Sequence, residues 1–225
     1  MKKIAIIFAD ENEFEPFLNA ALSIGGTIGN RHSRRCVSTQ IGDKAVIAVL
    51  CGIGKVNAAT ATAHIISEEK PDAVLNAGLS GAVRGVYRND ILVGTSYTEC
   101  DFDISPTGRA LGEKPSQESV YYADEHLLSR ALTIKGIKSG ALGTGDFFLT
   151  SSSLKQKYQE LFGICAFDME SAAIASACHF ADVPYLSIRM ISDDADESAA
   201  EDYRELNDLK APDLTELLCD FIKNL

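Results

Sequence analysis

Short aliphatic runs alternate along this chain with longer amphipathic stretches, which is the pattern of strands and helices taking turns. Residues 3–8 (KIAIIF) are almost continuously apolar and predict a core parallel strand. Asp10 follows as a helix N-cap and opens an acidic-start helix to about residue 22. Gly25, Gly26, Gly29 and Asn30 then interrupt the pattern. Residues 36–40 and 45–50 predict two strands joined around Gly42-Asp43, and Gly52-Ile53-Gly54-Lys55 leads into an alanine-rich helix to about residue 67. The aliphatic segment 73–76 ends in Ala77-Gly78-Leu79-Ser80-Gly81. Further strands are expected at 90–94 and 138–143, with helices at 119–131 and 154–160. A helix over 169–180, a strand over 184–190 and a terminal helix over 211–225 complete the chain. This alternation predicts an α/β fold, a three-layer single domain with a mixed central β-sheet flanked by helices. No internal repeat or low-complexity tail interrupts the 225 residues, so one domain over residues 1–225 is the simplest organisation.

Charge narrows the partners. Asp and Glu outnumber Lys and Arg 32 to 21, the net charge is -11, and no long basic run occurs. The usual electrostatic footprint for nucleic acid or an anionic membrane is missing, so a small-molecule substrate is expected, with any nucleobase belonging to a nucleoside. The amino-terminal apolar stretch meets Asp10, Glu11 and Glu13 too soon for a signal-peptide core, and no run of transmembrane length follows. A cytoplasmic location is the expectation. Six scattered cysteines without a Cys-x-x-Cys pair, and only four histidines, point to reduced thiols rather than a disulfide framework or a metal site.

Two acidic segments carry the candidate chemistry: Asp10-Glu11-Asn12-Glu13 after the first strand, and Phe167-Asp168-Met169-Glu170 at the entrance of a late helix. Taken alone, Glu13 is more simply a helix-capping or solvated acid, since helix starts favour acids. On a pocket floor at the carboxyl end of the first strand, burial would hold it partly protonated and let it bind a water or a leaving group. Asp193 follows the aliphatic strand that ends in Met190-Ile191-Ser192, again where open α/β sheets place ligand loops, although Asx-turn capping is the local alternative. A protonated Asp193 would donate to a purine nitrogen. Asp168 and Glu170 suit the paired hydroxyls of a ribose, with Met169 against the sugar face; helix-dipole pairing and core filling are the plainer readings. Gly52-Ile53-Gly54-Lys55 lacks the spacing of both the dinucleotide and the P-loop fingerprints, so a tight turn competes with an anion cradle there. Gly78 permits close backbone approach to a ligand, and Phe148 offers a flat wall for a heterocycle or a core aromatic.

The ordered set Glu13, Gly52-Ile53-Gly54-Lys55-Val56, Asn76-Ala77-Gly78-Leu79-Ser80-Gly81, Gly145-Asp146-Phe147-Phe148, Phe167-Asp168-Met169-Glu170-Ser171 and Ile191-Ser192-Asp193 resembles the nucleoside phosphorylase/uridine phosphorylase superfamily. Within it the chain is most similar to the 5'-methylthioadenosine/S-adenosylhomocysteine nucleosidases, over residues 3 to about 203. The resemblance implies a phosphorylase/hydrolase-like fold and hydrolysis of a purine N-glycosidic bond, with a place in methionine salvage. It assigns Glu13 to the attacking water and Asp193 to protonation of the purine at N7. Met169 and Glu170, beside Asp168, would hold the ribose, Phe148 would stack on the base and Leu149 would recognise adenine through its backbone. Ile53, Gly78 and Tyr203 complete the implied substrate contacts. No organic cofactor or metal is implied, and the partners are a small nucleoside and a second copy in a homodimer, whose neighbouring subunit closes the 5' pocket.

Four positions depart from the family pattern. Asp10 stands where Met is common beside the ribose and alkylthio group, Leu79 where Ser is common near the water, and Cys100 where His is common. Tyr203 replaces an apolar aromatic and would hydrogen-bond a more polar 5' substituent. The alternatives are therefore a phosphorylase, a hydrolase of another modified nucleoside such as futalosine, or a nucleoside-binding protein without turnover. The acidic Asp10-to-Glu13 segment argues against the phosphorylase, since it would repel phosphate.

Overall fold

The structure, a computed structural model, describes residues 1–209 and 212–225, and the side chains outside residues 206–213. The elements run β1 (Lys3–Phe8), α1 (Glu11–Ser23), β2 (Thr27–Arg31), β3 (Arg34–Ile41), β4 (Lys44–Leu50), α2 (Lys55–Glu69), β5 (Ala73–Ala82) and β6 (Ile91–Glu99). They continue with β7 (Val120–Tyr122), α3 (Glu125–Ala131), β8 (Lys138–Thr144), α4 (Ser152–Phe162), β9 (Ala166–Asp168), α5 (Ser171–Phe180), β10 (Tyr185–Asp193), α6 (Ala199–Leu209) and α7 (Pro212–Lys223). The expected start of the last helix, at residue 211, lies outside the described residues.

The sheet is mixed, in the order β10-β6-β8-β9-β5-β1-β4-β3-β2, with β7 on β6 and a further pairing of β10 with β5. Strands β5, β10, β6, β8 and β9 therefore close a ring. Side chains of β1 alternate between two cores, because successive residues of a strand face opposite ways. Ile4, Ile6 and Phe8 pack with α1, α3 and α7, whereas Ala5 and Ile7 pack with α2 and α5. Those two cores are the interfaces of the expected three layers.

Strand β5 sets the position of everything that follows. One edge pairs with β1 at residues 73–76 and with β9 only at residues 81–82, while the other edge runs along β10 from Val74 to Gly81. Between β1 and β9, residues 77–80 have no strand partner on that edge, and a side chain is free to reach their amides. The gap lies at the carboxyl ends of β1 and β5, where ligands bind in open α/β sheets.

Five local readings change. The glycine-rich interruption at residues 25–30 contains β2, an exposed hairpin strand whose turn uses left-handed His32 and Ser33, as type I' geometry requires. The helix expected over 119–131 begins only at Glu125; Val120-Tyr121-Tyr122 pair with β6 first, and the Asp124 carboxylate accepts from Leu127 N at 2.9 Å to start α3. The strand expected over 73–76 extends to Ala82. The helix expected from residue 169 starts at Ser171, with Asp168 closing a short strand. Finally, α6 has no counterpart in the sequence reading. Among the described residues, no helix is long and apolar enough to cross a membrane.

Candidate active site

A 470 Å³ cavity opens at the β5 gap. Its lining includes Glu13, Ile53, Phe148, Leu149, Asp168, Met169, Glu170, Asp193 and Tyr203, nine of the ten residues singled out from the sequence. The tenth, Gly78, stands behind the wall rather than in it. A Cβ there would lie 2.5 Å from Glu13 Oε1 and would collide with the Arg189 guanidinium. Gly78 also answers a different need for glycine, which is room for two charged side chains to meet. Gly78→Ala is expected to lower kcat/KM at least tenfold and to cost about 1–3 kcal/mol of stability, the usual range for overpacking; steady-state kinetics and urea denaturation check both.

Glu13 divides its two oxygens between local and long-range work. Oε2 accepts from the N–H groups of Ala9 and Asp10, both at 3.2 Å, as the returning half of a capping box whose N-cap is Asp10. Oε1 reaches across to the unpaired edge of β5 and accepts from Leu79 N at 2.8 Å. The capping reading and the pocket reading of Glu13 are thus both realised in one side chain. Burial pushes its carboxyl above the ordinary range, against the pull of Arg189 and the backbone bonds, and Asp10 adds to the rise.

The second acidic segment is organised by Asp168. Its Oδ1 accepts from Glu170 N at 2.9 Å, Ser171 N at 2.8 Å and Thr144 Oγ1 at 3.0 Å, which fixes the turn from β9 into α5. Its Oδ2 lies 3.1 Å from Arg189 Nη2. Asp168 thus spends its carboxylate on the protein, holding Glu170 in place. Glu170 Oε1 in turn accepts from Gly54 N at 3.0 Å, and Asp146 Oδ1 accepts from Lys55 N at 2.8 Å. The glycine turn before α2 does cradle anions with its amides, and they are carboxylates of this chain. Burial raises Glu170 to about 7, with Arg189 opposing and Asp168 and Glu13 reinforcing.

Asp193 ends β10 at a bulge against β5. Its Oδ2 accepts from Ser192 Oγ at 2.6 Å and its Oδ1 from Ala195 N at 2.9 Å, so its orientation is fixed on both sides. Burial raises its pKa, and Asp202 and Asp194 work in the same direction. Gly81 makes room for it, since a Cβ there would sit 2.7 Å from Asp193 Oδ1. Phe148 is 40% exposed and meets the Tyr203 ring edge-on at 5.5 Å, leaving a face for a flat ligand.

Sequence reasoning missed Arg189, the largest fully buried side chain. It sits in the middle of an aliphatic strand, and its partners come from other segments: Asp168 at 3.1 Å and Glu170 at 3.5 Å. Burial works against its charge, yet Asp168, Glu170 and Glu13 hold its pKa above the ordinary value. An ionisable residue inside an aliphatic run was the one available signal. Also missed was α6, which contributes Ala200, Tyr203 and Arg204 to the cavity wall. Arg88 ties that helix down through Asp202 at 2.9 Å and Glu205 at 3.4 Å, while Arg84 is exposed.

The site taken together holds two fixed carboxyls with raised pKa values flanking β5 from opposite edges, a third beside a buried arginine, and an aromatic face. The phosphorylase superfamily family model matches residues 3–223. A 5'-methylthioadenosine/S-adenosylhomocysteine nucleosidase from Actinobacillus succinogenes is 31% identical, covering 99% of both chains, and one from Exiguobacterium is 34% identical over 88% of this chain and 87% of its own. Among solved structures, the Neisseria meningitidis nucleosidase of that name, in complex with methylthio-immucillin-A, aligns with a TM-score of 0.92 at 31% identity, covering all of both chains. The Helicobacter pylori futalosine hydrolase aligns at 0.94 with 26% identity, over 100% of this chain and 98% of its own. The chain belongs to the phosphorylase superfamily, with 5'-methylthioadenosine/S-adenosylhomocysteine nucleosidases among its relatives.

Proposed function

We propose that this protein hydrolyses the N-glycosidic bond of a 5'-modified purine nucleoside, namely 5'-methylthioadenosine or S-adenosylhomocysteine. The observation that carries this reading is the placement of Glu13 and Asp193 on the two edges of β5, both in one cavity and both with raised pKa values. In the ionised form, Glu13 takes a proton from water as the water oxygen bonds to the anomeric carbon. The bond from that carbon to the purine breaks with its electron pair going to the base. Asp193, in the protonated form, delivers its proton to N7, so the base leaves neutral. Glu170 accepts the ribose hydroxyls, and Phe148 covers one face of the base while Leu149 recognises its edge. The products are a free purine and a free 5-substituted ribose.

Water is favoured over phosphate because the cavity presents Asp10, Glu13, Asp168 and Glu170 on the sugar side, where an anionic nucleophile would be repelled. Its inner cation, Arg189, is already matched by acids. The reading extends to one catalytic domain over residues 1–225, a cytoplasmic enzyme with a place in methionine salvage, and a homodimer. Supporting the dimer, Ile53 borders the cavity while 50% exposed, and Val56 beside it is 74% exposed. Futalosine is the second substrate to test, since the Helicobacter pylori futalosine hydrolase shares the fold closely. The test is release of free base from methylthioadenosine, S-adenosylhomocysteine, adenosine, inosine and a futalosine-type nucleoside. Rapid release of adenine from the first two is expected; release from futalosine alone moves the substrate, and folded protein that turns over none of them overturns the proposal.

The raised Glu170 gives two further expectations. Ionised Glu170 is the better acceptor for ribose, so KM should fall as pH rises through about 7, and Glu170→Gln should remove that dependence. Stability runs the other way. A carboxyl whose folded pKa exceeds its unfolded value binds extra protons in the folded state, so its contribution is favourable at low pH and is lost between roughly pH 4.5 and 7. Glu170→Gln is therefore expected to stabilise the substrate-free protein at pH 8, by on the order of 2 kcal/mol, and far less at pH 5. Denaturation at the two pH values checks the sign.

A further inference from the structure

Two charges on the cavity wall, Asp10 and Arg204, make no contact with base or ribose and transfer no proton in the chemistry above. Asp10 lines the cavity beside Glu13, and its Oδ1 accepts from Asn12 N at 2.8 Å to cap α1. Among the described residues neither of its oxygens has an ion pair. Arg204 comes from α6, where Ala200, Tyr203 and Arg204, spaced three and four apart, present one helix face to the cavity. The neighbouring acids Asp202 and Glu205 turn to Arg88 instead. Arg204 itself has no hydrogen bond or ion pair among the described residues.

With base and ribose assigned to Asp193, Phe148 and Glu170, Asp10 and Arg204 are left for the 5' substituent. A methylthio group offers neither charge a partner, and seating it against a carboxylate strips water from that carboxylate without return. A tail carrying both an ammonium and a carboxylate matches both charges. We propose that Asp10 and Arg204 form a specificity-determining pair that selects nucleosides bearing a zwitterionic, α-amino-acid 5' tail over those with a small apolar one. Asp10 takes the ammonium and Arg204 takes the carboxylate. This rests on the hydrolase reading for the orientation of the substrate.

The test compares kcat/KM for four nucleosides: S-adenosylhomocysteine, its analogue without the amino group, its analogue without the carboxylate, and methylthioadenosine. Wild type is set beside Asp10→Asn, which keeps a capping oxygen, and Arg204→Gln, with melting temperatures to confirm that both variants fold. The ratio of S-adenosylhomocysteine to methylthioadenosine is expected to fall about five- to tenfold in each variant, a magnitude typical of a half-exposed charge contact. Asp10→Asn should not further weaken the analogue without the amino group, nor Arg204→Gln the one without the carboxylate. A ratio unchanged within twofold in both variants, or equal losses on all four nucleosides, would overturn the pairing. If wild type released base from none of the four, the hydrolase reading would fall instead. Calorimetric binding of the same four nucleosides would then read the same differences and decide the pairing by itself.

Discussion

Asp193→Asn is expected to lower kcat for base release about a thousandfold while leaving the fold intact, within the range by which a positioned general acid accelerates proton transfer. An amide in the same place keeps the shape: its oxygen still accepts from Ala195 N, and its NH2 group donates to the Ser192 hydroxyl where the second carboxylate oxygen had accepted. What it lacks is a proton to give at N7, so the purine would have to leave as an anion. The loss should be specific to the chemical step: KM changes little, and a nucleoside with an activated leaving group that needs no protonation is hydrolysed at nearly the wild-type rate. Steady-state rates on the two substrates make the comparison. Equal losses on both would mean that Asp193 holds the site together rather than supplying a proton.

Arg189→Met is expected to have the largest effect on stability, about 3–5 kcal/mol, because removing one partner of a buried charge cluster leaves the others uncompensated. Asp168, Glu170 and Glu13 all face that guanidinium, and each would then be protonated or repelled. The deficit should be larger at pH 8 than at pH 5, since protonation removes the uncompensated charges. Adding Glu170→Gln should recover part of it, as coupled sites are not additive. Urea denaturation of the single and double variants at the two pH values gives both results.

The parts of this molecule visible in the sequence are those whose cause is local. Asp10 and Glu13 sit at capping-box spacing, the aliphatic run before Asp193 reads as a strand, and both strand ends fall where α/β folds place ligands. What escaped was set by distant segments. Gly78 and Gly81 read in isolation as positions of close backbone approach to a ligand; inside β5 it is Glu13, Arg189 and Asp193 that take the space a Cβ would fill. Arg189 is unremarkable beside Ile188 until Asp168 and Glu170 arrive from another part of the chain. Helix α6 is amphipathic but acidic and low in overall hydrophobicity, so it does not stand out as a core helix; its packing against β10 and the Arg88 tether show which face matters. Val120-Tyr121-Tyr122 falls inside the helix expected over 119–131, but β-prone residues that find β6 as a partner form a strand, and Asp124 caps α3 only after them.

Product analysis in phosphate-free buffer, repeated with inorganic phosphate added, tests the central claim most directly. Hydrolysis predicts one equivalent of free pentose for each purine released, at a rate that phosphate leaves unchanged. A rate that requires phosphate, with the sugar recovered as its 1-phosphate, would contradict it.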